Sequence, residues 1–113
     1  MNRQIKFRAW HEKAQKMVYG VTNLQDAIDR GYPLMQYTGL TDRNGKEIYE
    51  GDILGGDSVI GNCRVYFGKN EFNDRPYAWC IEWTDSKSTS FLDISICSLK
   101  VVGNIYQDPE LLQ

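Results

Sequence analysis

The feature that most constrains this chain is a reversal. Asn44-Gly45 separates two strand-like runs, residues 34–40 and 47–50. Both residue types tolerate positive φ, and Asn-Gly between such runs is a strong hairpin signal. A chain committed to a hairpin in its middle needs other extended segments to cover it, and the sequence supplies them. Residues 5–10 alternate, with Ile5, Phe7 and Ala9 on one side and Lys6, Arg8 and Trp10 on the other, the period of a half-buried strand. Met17-Val18-Tyr19 is short and apolar and pairs back onto it. Gly51 gives backbone freedom for a corner, and Asp52 bonds its own following backbone in an Asx-type turn before Ile53-Leu54 enters the core. Residues 59–60, 63–67, 77–83 and 101–106 read as further strands. In 77–83, Tyr77, Trp79, Ile81 and Trp83 share one face; in 101–106, Gly103 marks a bulge or close crossing. Residues 69–76 and 84–90 read as polar loops, and residues 91–99 as either strand or short helix.

One helix interrupts the strands. Thr22-Asn23-Leu24-Gln25 has capping-box spacing, with a hydroxyl first and Gln three residues on. Leu24, Ala27 and Ile28 fall on one face, Gly31 stands at a C′ position, and Pro33 bars continuation. The pattern predicts a helix over 24–30 that leans its Leu24/Ile28 face on the sheet. Asp108 and Pro109 open a last helical turn. Short strands with frequent turn signals predict a mainly β small barrel or sandwich. The length, 113 residues, fits one domain over residues 1–113.

Composition limits the function. The net charge is −2, so the basic footprint of a dedicated duplex-DNA binder is absent. No apolar run has the length of a membrane span, and the N-terminus has no apolar signal core behind its charges, so the sequence reads as cytoplasmic with no membrane role. Cys63, Cys80 and Cys97 are evenly spaced and include no C-x-x-C pair. They read as reduced, buried small hydrophobes, with no metal site.

Catalytic sets fail for want of parts. His11 is the only histidine and falls in a polar turn. The neighbour of Cys63, Arg64, points to the opposite face of a strand and cannot activate the thiol. Gly55-Gly56-Asp57-Ser58 lacks the lysine and spacing of a phosphate-binding loop. Asp52 with Glu50 or Glu47 is the one carboxylate pair able to serve a metal-dependent hydrolase, and a turn-forming role for Asp52 competes with it. The expectation is no enzyme and no cofactor.

Three stretches stand out as motifs. The first is Ile5-Lys6-Phe7-Arg8-Ala9-Trp10 followed by Lys16-Met17. The second runs from Leu34-Met35-Gln36-Tyr37-Thr38-Gly39-Leu40 through Asp42 to Asn44-Gly45-Lys46-Glu47-Ile48-Tyr49-Glu50-Gly51-Asp52-Ile53. The third is Val102-Gly103-Asn104-Ile105-Tyr106 with Pro109-Glu110-Leu111-Leu112. Together they resemble the YopX family, whose first motif usually ends in Trp-Asp, where this chain has His11. The resemblance implies an SH3-like barrel with extra elements, a phage or prophage setting, and no established activity.

What remains is aromatic and basic interleaving. Arg8, Trp10, Tyr37, Arg43, Lys46, Tyr49, Trp79 and Trp83 form the candidate interaction surface. Trp, Tyr and Arg are enriched at protein interfaces, which predicts a protein partner or self-association into a homo-oligomer. The same residue types stack bases and pair phosphates, so a weak single-stranded nucleic-acid binder is the alternative. Core filling is the third use of such residues.

Overall fold

The structure is a computed structural model that describes residues 4–56, 61–68, 78–84, 89–92 and 99–112. The described residues form strands β1 (Phe7–His11), β2 (Lys16–Tyr19), β3 (Leu34–Thr41), β4 (Glu47–Tyr49), β5 (Asp52–Gly55), β6 (Cys63–Gly68), β7 (Ala78–Trp83), β8 (Thr89–Phe91) and β9 (Lys100–Asn104). Helix α1 (Leu24–Asp29) lies between β2 and β3, and Pro109–Leu112 is a 3-10 turn. The strand expected at 59–60, the loop at 69–76, Tyr77 and Cys97 lie outside the described residues. No helix among the described residues is long and apolar enough to cross a membrane.

Two antiparallel sheets result. One has the order β2-β1-β3-β4; the other has the order β8-β7-β6-β5-β9. In the second sheet consecutive strands follow one another until β9 returns to the free edge of β5. That return gives the mainly β, barrel-like architecture expected from the sequence. The first sheet curls because β3 bulges: Tyr37 faces Tyr49 and Thr41 faces Glu47, so β3 spends two more residues than β4 between the same partners. The bulge is held by Thr38, whose hydroxyl donates to the Ile48 carbonyl at 2.8 Å.

The curl carries Ile48 of the first sheet into the interior of the second. There it packs with Leu54, Cys63, Val65, Ile81, Leu92 and Leu99, and half-buried Leu40, Trp79, Trp83 and Val101 close over them. Trp79 and Trp83 thus share the Ile81 face, as the alternation predicted, and that face is the core. Cys63 and Cys80 are free and wholly buried. Burial pushes the Cys63 thiol up to about 12, which removes its nucleophilic form at neutral pH.

Local expectations were met in type and shifted in detail. The hairpin turn is not the two-residue form, because Gly45 alone takes positive φ (81°) while Asn44 does not. Gly45 N–H instead bonds the Asp42 carbonyl at 3.0 Å and Asp42 N–H bonds the Lys46 carbonyl at 2.8 Å, a longer loop that ends in a left-handed glycine. Asn23, not Thr22, caps α1: its side-chain oxygen accepts from Asp26 N–H at 3.0 Å. The helix ends as a Schellman motif, with Tyr32 N–H on the Ala27 carbonyl and Gly31 N–H on the Ile28 carbonyl. Ala27 is its buried residue; Ile28 is 57% exposed and does not lean on the sheet. So short a helix seats by its smallest apolar side chain.

Candidate functional site

The two sheets meet at the corner between β4 and β5. Gly51 adopts φ +87° there, a conformation that an L side chain reaches only with strain. A Cβ at Gly51 would also crowd Met35 at 3.2 Å. The turn points Asp52 back at its own corner, and its Oδ2 accepts from Tyr49 N–H at 2.8 Å. The bond runs to a preceding residue, not to the following backbone as the sequence suggested.

The other carboxylate oxygen meets Arg8. Arg8 Nη2 donates to Asp52 Oδ1 at 2.8 Å and to the Glu50 carbonyl at 3.1 Å. Both side chains are 2% exposed. The guanidinium lies 4.8 Å from the Tyr49 ring centroid and 5.8 Å from that of Tyr19, whose hydroxyl accepts from Nη1 at a long 3.4 Å. Arg8 Nε is buried with no acceptor among the described residues. Burial pushes the Asp52 carboxyl above the usual carboxylate range, while the Arg8 charge and the Tyr49 N–H pull it back. Burial and then Glu47 raise the Tyr49 phenol to about 12.

These contacts revise the expected interaction surface. Arg8, Trp10, Tyr37 and Tyr49 are buried, with 2%, 2%, 8% and 4% exposed respectively. The reason is the place of β1: it lies between β2 and β3, and Arg8, Ala9 and Trp10 are all covered, so neither face looks outward. Trp10 stacks on Tyr106 with ring centroids 5.8 Å apart and donates Nε1–H to Glu12 at 2.7 Å. Arg8, Tyr37 and Tyr49 come together at one cluster, while Trp79 and Trp83 pack on the other sheet's core. Arg43 and Lys46 stay exposed at the hairpin.

Cations and carboxylates are matched across strands. Lys6 pairs with Glu47, and Arg64 with Glu82 at 3.0 Å. Both oxygens of Asp52 are engaged, so the carboxylate pair considered for a metal is not presented to one. Among the described residues no three His, Cys, Asp or Glu side chains gather in metal-ligand fashion. His11 ends β1, accepts from Ala14 N–H through Nδ1 at 3.1 Å, and meets the Tyr32 hydroxyl through Nε2 at 3.0 Å.

Sequence reasoning missed Tyr19, which rests against Arg8 from an edge strand, and the tertiary role of Asp42. The Asp42 carboxylate takes the N–H groups of Asn44 and Lys46 on one oxygen and that of Val101 in β9 on the other, all at 2.8–2.9 Å. The Asp-x-Asn-Gly spacing signals the first two bonds; nothing local signals the third.

Two cavities are lined in part by β1. A polar cavity of about 160 Å³ is bounded by Arg8, Lys46, Asp52, Asn104, Gln107 and Asp108, with Tyr19 also in its wall. A more apolar one of about 330 Å³ lies between β2 and α1, lined by residues including Ala9, His11, Val18, Val21, Ala27 and Tyr32.

Comparison with known proteins gives a family and a fold. No curated protein matches the sequence. The crystal structure of protein EF1440 from Enterococcus faecalis is similar, with a TM-score of 0.62 and 22% identity over 99% of this chain and 100% of that one. At that identity the likeness speaks to fold alone. Residues 20–113 match the family described as YopX protein. The match takes in the second and third of the resembling stretches, with the hairpin, the Gly51-Asp52 corner and the Gly103 strand. The chain belongs to the YopX family.

Proposed function

We propose that this chain is a non-enzymatic interaction module of a phage or prophage, working in the host cytoplasm by binding a protein partner or a second copy of itself. The observation that carries the reading is strand β2. It is the outer strand of its sheet and pairs on its far side with no strand among the described residues. Val18 and Tyr19 on it are 37% and 55% exposed. An open edge with apolar side chains is a template for strand addition by another chain. The apolar cavity beside Val18 gives such a strand's side chains somewhere to go. The phage setting is what the family resemblance implies.

The matched ion pairs weigh against a nucleic-acid role, because Lys6, Arg8 and Arg64 each already face a carboxylate. Multi-angle light scattering over a concentration series, with pull-down from host lysate, tests the proposal. Association by wild type that disappears in Val18→Lys is the expected result. A protein that stays monomeric and whose retained partners, if any, are indifferent to Val18→Lys sinks it. Salt-sensitive binding of short oligonucleotides would move the reading to nucleic acid.

A further inference from the structure

The polar cavity between the sheets has an excess of unused hydrogen-bond donors. Asp52 is spent on Arg8 and Tyr49. Asp108 gives Oδ2 to Asn104 N–H at 3.1 Å. Asn104 Oδ1 accepts from the N–H groups of Tyr106 and Gln107, and its amide donates to Gln107 Oε1 at 2.7 Å. The donors are less well served. Among the described residues Arg8 Nε has no acceptor, and Nη1 has the Tyr19 hydroxyl at 3.4 Å and no other. The Lys46 ammonium and the Gln107 amide N–H₂ have no hydrogen-bond partner among the described residues. Of the wall's side-chain carboxylate oxygens, Asp108 Oδ1 is the one with no hydrogen bond among the described residues. Formal charges in the wall cancel, with Arg8 and Lys46 against Asp52 and Asp108.

We propose that this cavity is a carboxylate site, in which Lys46 and Arg8 hold one small carboxylate group at the junction of the sheets. A ligand oxygen replaces the long Tyr19 contact on Nη1, and Lys46 closes from the exposed hairpin. Because the wall charges cancel, any ligand charge is uncompensated and is held by the free donors alone, which a monoanion meets at less cost than a dianion beside Asp52 and Asp108. The volume, about 160 Å³, accommodates a carboxylate on a short stem. The site needs no protein partner, so its failure would leave the interaction-module reading standing.

Amide NMR titration with sodium acetate, against sodium chloride at equal ionic strength, tests it on the full chain. Saturable shifts at Lys46, Gly103, Asn104 and Gln107 with acetate, and not with chloride, are expected. Lys46→Gln, at an exposed position whose ammonium has no hydrogen-bond partner among the described residues, should weaken acetate roughly tenfold or more, the effect of removing one charge-assisted bond. Lys100→Gln removes the same charge outside the cavity wall and should change nothing. A blocked peptide bearing one Glu separates the sources: tighter binding than acetate assigns the carboxylate to a partner chain, and equal or weaker binding assigns it to a free small acid. Acetate and peptide shifts that match chloride, or an acetate titration indifferent to Lys46→Gln, overturn the proposal.

Discussion

Asp42 and Asp52 stand ten residues apart, each at a tight corner and each almost wholly buried, at 6% and 2% exposed, yet they are held by opposite means. Asp42 closes the β3–β4 hairpin with backbone donors only: Asn44, Lys46 and Val101. Burial alone would raise its carboxyl, and the three N–H bonds outweigh it, so the group lies below its ordinary value of 3.8. Asp52 closes the β4–β5 corner with one backbone N–H and one guanidinium, deeper in the protein. There burial wins and its carboxyl lies above 3.8. The difference teaches that a nearby cation does not by itself keep a carboxylate acidic. What decides is whether the stabilising donors outweigh the loss of water.

The largest expected effect comes from unbalancing the Asp52 corner. Both Asp52 oxygens are acceptors, so Asp52→Asn sets an N–H₂ donor against either Arg8 or Tyr49 N–H in a buried corner, besides removing the counter-charge, and should cost about 3–5 kcal/mol. Urea unfolding measures it, and a loss under about 1 kcal/mol would show the pair to be dispensable. Adding Arg8→Met to that variant removes the stranded charge, so the double variant should be more stable than Asp52→Asn alone. If it is less stable, Arg8 contributes more through the Tyr19 and Tyr49 rings than through its charge.

A smaller loss is expected at the hairpin. Asp42→Ala strips the acceptor from three backbone N–H groups, of which those at the exposed turn can turn to water. A cost of about 2 kcal/mol follows, below that of Asp52→Asn. Since Val101 N–H ties the Asp42 side chain to the second sheet, beside the Arg43 N–H bond to the Leu99 carbonyl, hydrogen exchange should quicken at Val101 as well as at the turn. Unchanged protection at Val101 would mean that the tie is not what fixes β9.

The smallest effect is in the pH dependence, and its sign separates the two aspartates. A raised carboxyl binds its proton more tightly when folded, so Asp52 adds stability as pH falls from its folded value toward 3.8. A lowered carboxyl does the reverse: the stability from Asp42 is present above 3.8 and is lost as pH falls through its lower folded value. Subtracting the stability of Asp52→Asn from that of wild type at each pH should therefore give a difference that grows on mild acidification. The same subtraction with Asp42→Ala should give one that shrinks only in strong acid. Parallel curves for the two variants would erase the distinction.

Much of the fold was legible because it is local chemistry. Gly31 stops the helix, Gly51 makes the corner, and Asp42 with Asn44-Gly45 reverses the chain, all through backbone preferences that act over a few residues. The candidate surface was less legible. Alternation in residues 5–10 separates two faces but does not say that both are covered, and in β1 Arg8, Ala9 and Trp10 are all buried. The helix shows the same gap: the spacing of Leu24, Ala27 and Ile28 defines a face, but Ala27 makes the seat and Ile28 does not.

The sequence by itself determined where this chain turns and where it extends, because glycine, proline and short polar side chains set φ and ψ within their own neighbourhood. Only the tertiary structure decided what lies inside, because burial depends on what is stacked against each strand. The guanidinium of Arg8 meets a carboxylate 44 positions away, and Tyr106 roofs Trp10 from the far end of the chain. No periodicity along one strand contains that information.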